Sequence, residues 1–387
     1  MGWLLAVDFG TTTSAGAMAE EDGTVTLVEV GGAARVPSIV LAADSGDLLA
    51  GAVAEQQLAL SPERAERCPK RRLGEEVMLL GNRAVRPVEA VAAVLKVIAD
   101  EAIRRHSGEA PDRLRLTHPA RWGSVRLRAL AEAATLAGLP EPEFVSEPVA
   151  AAVSFADDRI AVGDHVAVYD LGGGTFDTAV LRRVEDGFEV IGLPGGDERL
   201  GGESFDDRLF AHLGERLAAI DPEAWEALRY STERSWRKAG YDLRVEARRA
   251  KEALSSSAEY QLYLGAPVDR ELLVTRDELE HLVRADIEAT VAELDRTVSQ
   301  AGLTVDQLAA VNLAGGSSRI PLVARLVGEW LGRVPDTWGD PKAAVVLGAA
   351  SATRLTPVSS WGASGAVLPG KWTRRRSARV AARPSWR

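Results

Sequence analysis

The sequence predicts a two-lobed α/β fold with a ligand cleft between the lobes. Three observations carry this. Apolar runs end in turns that mix glycine with hydroxyl or carboxylate residues at Asp8-Phe9-Gly10-Thr11-Thr12-Thr13, Asp170-Leu171-Gly172-Gly173-Gly174-Thr175-Phe176-Asp177 and Gly315-Gly316-Ser317-Ser318-Arg319-Ile320-Pro321. The strand-turn-strand-strand pattern of residues 3–30 restarts at residue 165. A chain of 387 residues is also long enough for a sizeable core and more than one lobe.

Residues 3–7 read as a first strand, continued by 14–19 and 25–30, with Glu21-Asp22-Gly23 as a turn signal. Pro87 opens a helix that places Val88, Val91, Leu95, Ile98 and Ala102 on one face. Residues 114–117 form a short strand. Ser124 is expected to cap the helix carrying Leu127, Leu130, Ala134 and Leu136, with Gly138 at its stop. Another helix covers 149–156. In the second half, 165–170, 178–182 and 188–193 are strands, and a long helical region runs from 205 to 257. Thr275 and Glu278 make a capping box for a helix reaching Gln300, and Thr304 with Gln307 repeats it. Residues 311–314 are the next strand, followed by a helix from Pro321 and a last packed helix over 343–354. The expected division is lobe I over 1–161, lobe II over 162–337, a helix returning to lobe I over 338–355, and a disordered Gly/Ser/Pro-rich then basic tail over 356–387.

Composition excludes several classes. Hydrophobic residues at 46% with 26% charged suit a soluble globular chain. A net charge of -10 argues against general nucleic-acid binding. Cys68 is the only cysteine, so no internal disulfide forms, which fits a reducing cytoplasm. The N-terminal apolar run stops at Asp8 and lacks a basic leader, so it reads as a strand and not a signal peptide. No run is long enough to span a membrane. None of the five histidines has a His or Cys partner at metal-ligand spacing. Abundant Ala, and Arg in excess of Lys, suggest GC-rich bacterial coding.

The three turns share a chemistry. Glycine frees backbone N–H groups for phosphate oxygens, and Asp and Thr can hold a hydrated Mg²⁺. Asp8 lies at the C-terminal end of a strand, where open α/β sheets place ligands, although ordinary hairpin turns favour the same residues. Three consecutive glycines are a poor structural choice between strands, and close approach of a diphosphate would account for them. Asp170 and Asp177 would then act on Mg²⁺, mostly through its water shell, or on a monovalent ion such as K⁺. Gly315, Gly316 and Ser317 are expected to open a helix toward an anion or a nucleoside edge, with the Arg319 guanidinium stacked on a base. Lys70, Arg71 and Arg72 form a basic cluster, either a solvated surface or a source of charge for a γ-phosphate.

These motifs, in this order, resemble the nucleotide-binding domain of the heat shock protein 70 family of chaperones, over about residues 3–355. Ser146-Glu147-Pro148-Val149-Ala150-Ala151-Ala152 is similar to the family's connecting helix. Gly201-Gly202-Glu203-Ser204-Phe205-Asp206 is similar to its turn after the second lobe's strands, and Ala250-Lys251-Glu252-Ala253-Leu254-Ser255-Ser256-Ser257 to its adenosine-contacting helix. The resemblance implies an actin-like, ribonuclease H-like fold and slow hydrolysis of ATP to ADP. Asp8, Glu147 and Asp170 would organise Mg²⁺ and the attacking water. Gly10, Thr11, Thr12, Gly172, Gly173, Gly174, Thr175, Gly201 and Gly202 would hold phosphates. Lys70, or Arg71 by a shifted alignment, would be the catalytic cation. Lys251, Ser255, Gly315, Gly316, Ser317 and Arg319 would hold the nucleoside. Pro119 would relay nucleotide state between lobes with Arg126 or Arg128 as partner.

Several positions depart from the family. Glu252 stands where an arginine usually stacks on adenine. Arg248 stands where a glutamate usually binds ribose, with Glu246 nearby. Lys342 replaces a carboxylate. Residues 356–387 resemble neither the family's interdomain linker nor its peptide-binding β-sandwich, so ATP-driven peptide clamping is not expected from this sequence alone. The expected partners are ATP, a protein co-chaperone or partner chain, and an anionic partner for the basic tail. A small-molecule kinase, an actin-like filament protein and a nucleotide-binding regulatory module without turnover are the rival readings of the same fold.

Overall fold

The computed structural model describes residues 2–58, 60–155, 160–337 and 341–351. The first lobe is built on one mixed sheet. Strands β1 (Leu4–Asp8), β2 (Thr13–Ala19) and β3 (Val25–Val28) form an antiparallel meander. Short strands follow: β4 (Val36–Pro37), which pairs with β2, then β5 (Val40–Ala42), β6 (Leu48–Ala50), β7 (Ala65–Glu66), β8 (Met78–Leu80) and β9 (Arg83–Val85). Strand β10 (Arg113–His118) pairs parallel with β1, and β11 (Pro142–Ser146) pairs parallel with β10. The sheet order is therefore β11-β10-β1-β2-β3. Helices α1 (Ala52–Leu58), α2 (Pro69–Arg72), α3 (Pro87–Arg105), α4 (Ser124–Leu136) and α5 (Glu147–Phe155) belong to this half. The apolar face of α3 is fully buried at Val91, Leu95, Ile98 and Ala102, as its spacing predicted.

The second half repeats the scheme. Strands β12 (His165–Leu171), β13 (Phe176–Val184) and β14 (Gly187–Asp197) form another meander, and β17 (Leu308–Ala314) lies parallel beside β12. The order β14-β13-β12-β17 matches β3-β2-β1-β10 strand for strand. In each copy a glycine turn joins the first two strands, so both turns project from equivalent edges.

Several expectations need correction. The helical stretch from 205 to 257 is three helices, α6 (Gly202–Ile220), α7 (Pro222–Tyr230) and α8 (Arg234–Ala253). Asp221 ends α6 and caps α7 by accepting from the Ala224 N–H, with Pro222 at the first helical position. An antiparallel hairpin of β15 (Glu259–Leu264) and β16 (Arg270–Thr275) follows, and the sequence reading missed it. Helix α9 (Arg276–Gln300) starts at the expected Thr275–Glu278 capping box. The second such box, at Thr304 and Gln307, caps only one short 3₁₀ turn. Ser124 is the first residue of α4 and makes no capping bond. Gly123 holds the cap position in extended backbone. The third glycine turn leads into a 3₁₀ turn, Gly316–Arg319, before α10 (Pro321–Leu331), so it does not sit on an α-helix N-terminus. The ends of the helices expected at 156 and 354, and the tail 356–387, lie outside the described residues.

A core joins the two halves. Leu4, Ala6, Ala15 and Ala17 of the first sheet and Val166 and Val168 of the second enclose Ala150–Ala152 of α5 and Val345, Val346 and Ala349 of α11 (Pro341–Ser351). Small residues let α5 and α11 approach closely. A Cβ added at Gly348 would lie 1.8 Å from the Ala150 carbonyl oxygen. Gly348→Ala should therefore cost about 1–3 kcal/mol of stability, as overpacking does. Denaturant unfolding monitored by circular dichroism measures this, and an unchanged midpoint would contradict the packing.

Candidate nucleotide-binding site

The three glycine turns converge on one cleft of about 310 Å³. The first turn is braced from below. The Ser38 hydroxyl donates to the Gly10 carbonyl at 2.8 Å, and the Ser38 N–H donates to the Thr12 carbonyl at 2.9 Å. The second turn is pinned to its neighbours. The Gly172 N–H donates to the Thr175 carbonyl at 2.9 Å, and the Gly172 carbonyl accepts from the Gly202 N–H at 3.0 Å and the Ser317 hydroxyl at 2.8 Å. The turns then face each other across the cleft. A Cβ at Gly173 would fall 2.2 Å from Thr12 Oγ1, and one at Gly174 would fall 2.5 Å from Thr11 Cγ2. Glycine is required here for close approach, not for a left-handed backbone. At Gly315 both reasons apply, with φ of 79° and a Cβ position 2.3 Å from Asp170 Oδ1.

A charge cluster lies at the bottom of the cleft. Lys70 sits in the single turn of α2 behind Pro69 and is 6% exposed. Glu147, the first residue of α5, is 7% exposed. Lys70 Nζ donates to Glu147 Oε1 at 2.7 Å. Asp8 and Asp170 border the same cleft from the ends of β1 and β12, and Thr117 donates to Asp8 Oδ1 at 2.6 Å. Burial pushes the Glu147 carboxyl up to about 7 against the pull of Lys70. Burial, then repulsion from Glu147, Asp177 and Asp8, raises Asp170 well above its ordinary value. Burial works against the Lys70 ammonium, but Glu147 and Asp8 outweigh it and hold its pKa above the ordinary value.

The outer part of the cleft is polar. Lys251 forms its floor, with Nζ 2.6 Å from Asp206 Oδ1 and donating to the Gly202 carbonyl at 2.8 Å. Ser255, Gly316, Ser317 and Arg319 line the same region, as do the departing residues Arg248 and Glu252. Glu246 does not line the cleft. It accepts from Tyr260 at 2.9 Å and Arg249 at 2.6 Å. The side chain of Lys342 lies outside the described residues.

Most of the expected site residues line the cleft, including Gly10, Thr11, Thr12, Thr175 and Gly202. Three do not. Gly174 and Gly201 pack on one another behind it, a Cβ on Gly201 falling 2.7 Å from the Gly174 backbone. Asp177 is turned away and pairs with Arg121, whose Nη2 lies 2.9 Å from its Oδ1. Arg71 also stays out of the cleft, donating to the Gly174 carbonyl and lying 3.2 Å from Glu203 Oε2. Of the basic cluster, Lys70 alone reaches the cavity. Arg126 pairs with Glu198 and stacks over Trp122 at 5.5 Å, and the Pro119 carbonyl accepts from the Trp122 N–H and His118 Nδ1. The sequence reading missed Asp206 and Arg35, which line the cleft, and Arg121, which holds Asp177 behind it. Asp206 had a signal, one helical turn beyond Gly202 within a quoted motif. Arg121 and Arg35 had none.

The donor set suits a nucleotide's phosphates with a hydrated divalent cation. It offers glycine backbone N–H groups and threonine hydroxyls on two sides, and carboxylates with one buried ammonium between. Among the described residues no three His, Cys, Asp or Glu side chains converge on one ion position. A cation that keeps its waters needs no such cage.

Comparison with known proteins agrees with this geometry. A family model described as Hsp70 protein matches residues 76–358. The chaperone protein DnaK of Thermotoga petrophila is 33% identical over 361 residues, covering 90% of this chain and 58% of the relative. The chaperone protein HscA homolog of a Shewanella species, strain MR-4, is 32% identical over 373 residues, covering 89% and 57%. The chain thus spans somewhat over half the length of the curated relatives it matches. With the family model covering well over half of the chain, and the duplicated sheets and converging turns in place, the chain belongs to the Hsp70 family and carries its actin-like, two-lobed α/β fold.

Proposed function

We propose that the cleft binds Mg²⁺·ATP and hydrolyses it slowly to ADP and phosphate. The observation that carries this reading is the buried Lys70–Glu147 pair set between two facing glycine turns. Gly10, Thr11 and Thr12 from one lobe and Gly172, Gly173 and Thr175 from the other hold phosphate oxygens. Gly174 and Gly201 support them by letting the turns close. Asp8 and Asp170 hold the cation's water shell, and Asp177 adds negative charge from behind. A bound Mg²⁺ supplies neutralising charge at the phosphate oxygens. K⁺ has a place only as further counter-charge for the same carboxylates.

The Lys70 ammonium faces the charge that develops on the γ-phosphate. Glu147 and Asp170 accept hydrogen bonds from the attacking water and aim it in line. Lys251, Ser255, Gly315, Gly316, Ser317 and Arg319 hold the nucleoside. Catalysis here is positioning and electrostatics, with little covalent chemistry for the protein to do. Lobe I as 1–161 and lobe II as 162–337, with 338–355 returning to lobe I, would then move against one another as nucleotide changes. A co-chaperone or partner chain would read that motion, and an anionic partner would meet the basic residues of 356–387. A reducing cytoplasm suits the buried thiol of Cys68. Among the described residues no helix is long and apolar enough to cross a membrane.

Three outcomes test the reading. Lys70→Ala should slow single-turnover ATP hydrolysis by about 10²–10³-fold, the usual loss for one electrostatic contact at a transition state; unchanged turnover removes Lys70 from its role. Gly173→Val should weaken ADP binding in calorimetry by at least about tenfold, because its side chain occupies the Thr12 side of the cleft; parental affinity would place the phosphates elsewhere. The third outcome concerns protons. In the free protein Glu147 titrates at about 7, above its ordinary 4.5, so near neutrality it is partly protonated. Mg²⁺·ADP brings both a cation and a polyphosphate beside this carboxyl, so its pKa moves in the complex and binding near pH 7 is coupled to a net proton change. Titration of Mg²⁺·ADP at pH 7 in phosphate and in Tris should give different heats, since the buffers differ in ionisation enthalpy. Identical heats would mean that Glu147 does not change its protonation.

A further inference from the structure

We propose that the same cleft accepts guanine nucleotides as well as adenine nucleotides, with Glu252 and Arg248 as the residues that decide it. The inference rests on the nucleotide reading of the cleft. Among the described residues that line the cavity none is aromatic. The planar group left for the face of a base is the Arg319 guanidinium, which stacks on any purine, so discrimination falls to hydrogen-bonding groups on the edge. The last turns of α8 and the turn that follows supply these groups, because Arg248, Lys251, Glu252 and Ser255 lie three and four residues apart on one side.

Two members of the set are committed elsewhere, Ser255 by donating its hydroxyl to the Lys251 carbonyl at 3.4 Å. Lys251 is buried against Asp206 and the Gly202 carbonyl and forms the floor. Arg248 and Glu252 form the rim; their side chains are 36% and 51% exposed and they pair with each other, Nε to Oε1, at 3.5 Å. A carboxylate only accepts hydrogen bonds, and a guanidinium only donates. Guanine presents a neighbouring pair of each kind. Its N1–H and N2–H₂ can both donate to one carboxylate, and its O6 and N7 together suit an arginine fork. Adenine satisfies the same two side chains once each, through N6–H₂ and N7, and turns the N1 lone pair toward the carboxylate. A rim of this kind can take adenine but is completed by guanine. Its exposure keeps the contribution modest, about tenfold in affinity.

The test is calorimetric titration of the full chain with the Mg²⁺ complexes of ADP, GDP and inosine diphosphate, which lacks the 2-amino group. The expected result is GDP binding within about threefold of ADP, with inosine diphosphate weaker than GDP. Glu252→Gln and Arg248→Met should each weaken GDP about tenfold and ADP by less than about threefold. Both side chains sit at the solvent-facing rim, and unchanged thermal unfolding of the variants excludes a folding defect. GDP binding about 100-fold weaker than ADP, or GDP binding untouched by both substitutions, overturns guanine acceptance and leaves the nucleotide site standing. Absence of heat with all three diphosphates overturns both.

Discussion

The structure depends on two turns meeting across a cleft, threonine side chains on one side against bare glycine backbone on the other. Thr11 and Thr12 come within van der Waals reach of Gly173 and Gly174, and even a methyl group on either glycine would collide. Both sheets must therefore be placed so that equivalent edges face each other. The repeated order β3-β2-β1-β10 and β14-β13-β12-β17 does this, because each copy presents its first turn from the same position. The alanine-rich core around α5 and α11 then sets how far apart the two copies sit.

The charge cluster follows from the same closure. Asp8, Glu147, Asp170 and Asp177 are drawn together by the meeting of strand ends, and Lys70 and Arg121 are the cations that answer them. Isolated buried charges of this kind destabilise a fold, and even a well-made buried pair adds little to stability. Their concentration in a cleft, with two carboxyl groups displaced toward neutrality, is the pattern of a site arranged for chemistry. Asp177 illustrates the balance. Its negative charge reaches Lys70 and Glu147, yet its side chain is held by an arginine from the opposite lobe.

Much of this was legible in the sequence because the demands were local. Glycine beside hydroxyl or carboxylate residues after a short apolar run marks a turn that must approach something closely, and all three such turns border the cleft. The face of α3 and the Thr275 cap were legible because helical spacing and capping act within one or two turns. The failures lie where a single local break or a distant partner decides. The 205–257 stretch reads as one helical region until Asp221-Pro222 is seen to end one helix and cap the next. The β15–β16 hairpin carries Tyr263 and Leu273 on its exposed face as well as apolar residues on its buried one, and it lacks an Asn-Gly turn, so its alternation is blurred. Nothing near Arg121 announces Asp177, some fifty residues on and in the other lobe. Gly174 and Gly201 read as phosphate ligands because a supporting glycine and a contacting one obey the same local rule.

The position of α11 in the chain has a consequence for how the protein is made. This helix packs against β1, β2, β10 and α5, all of which leave the ribosome much earlier. Until residues 341–351 emerge, the first sheet has an uncovered apolar face, and the nascent chain must remain soluble with Leu4, Ala6, Ala15 and Ala17 exposed on that side. Completion of the first lobe is thus tied to the last part of the described chain, a contact of very long sequence separation and so of slow closure. During synthesis the molecule is itself an unfinished chain with exposed apolar surface, open to aggregation or to binding by other proteins until α11 docks.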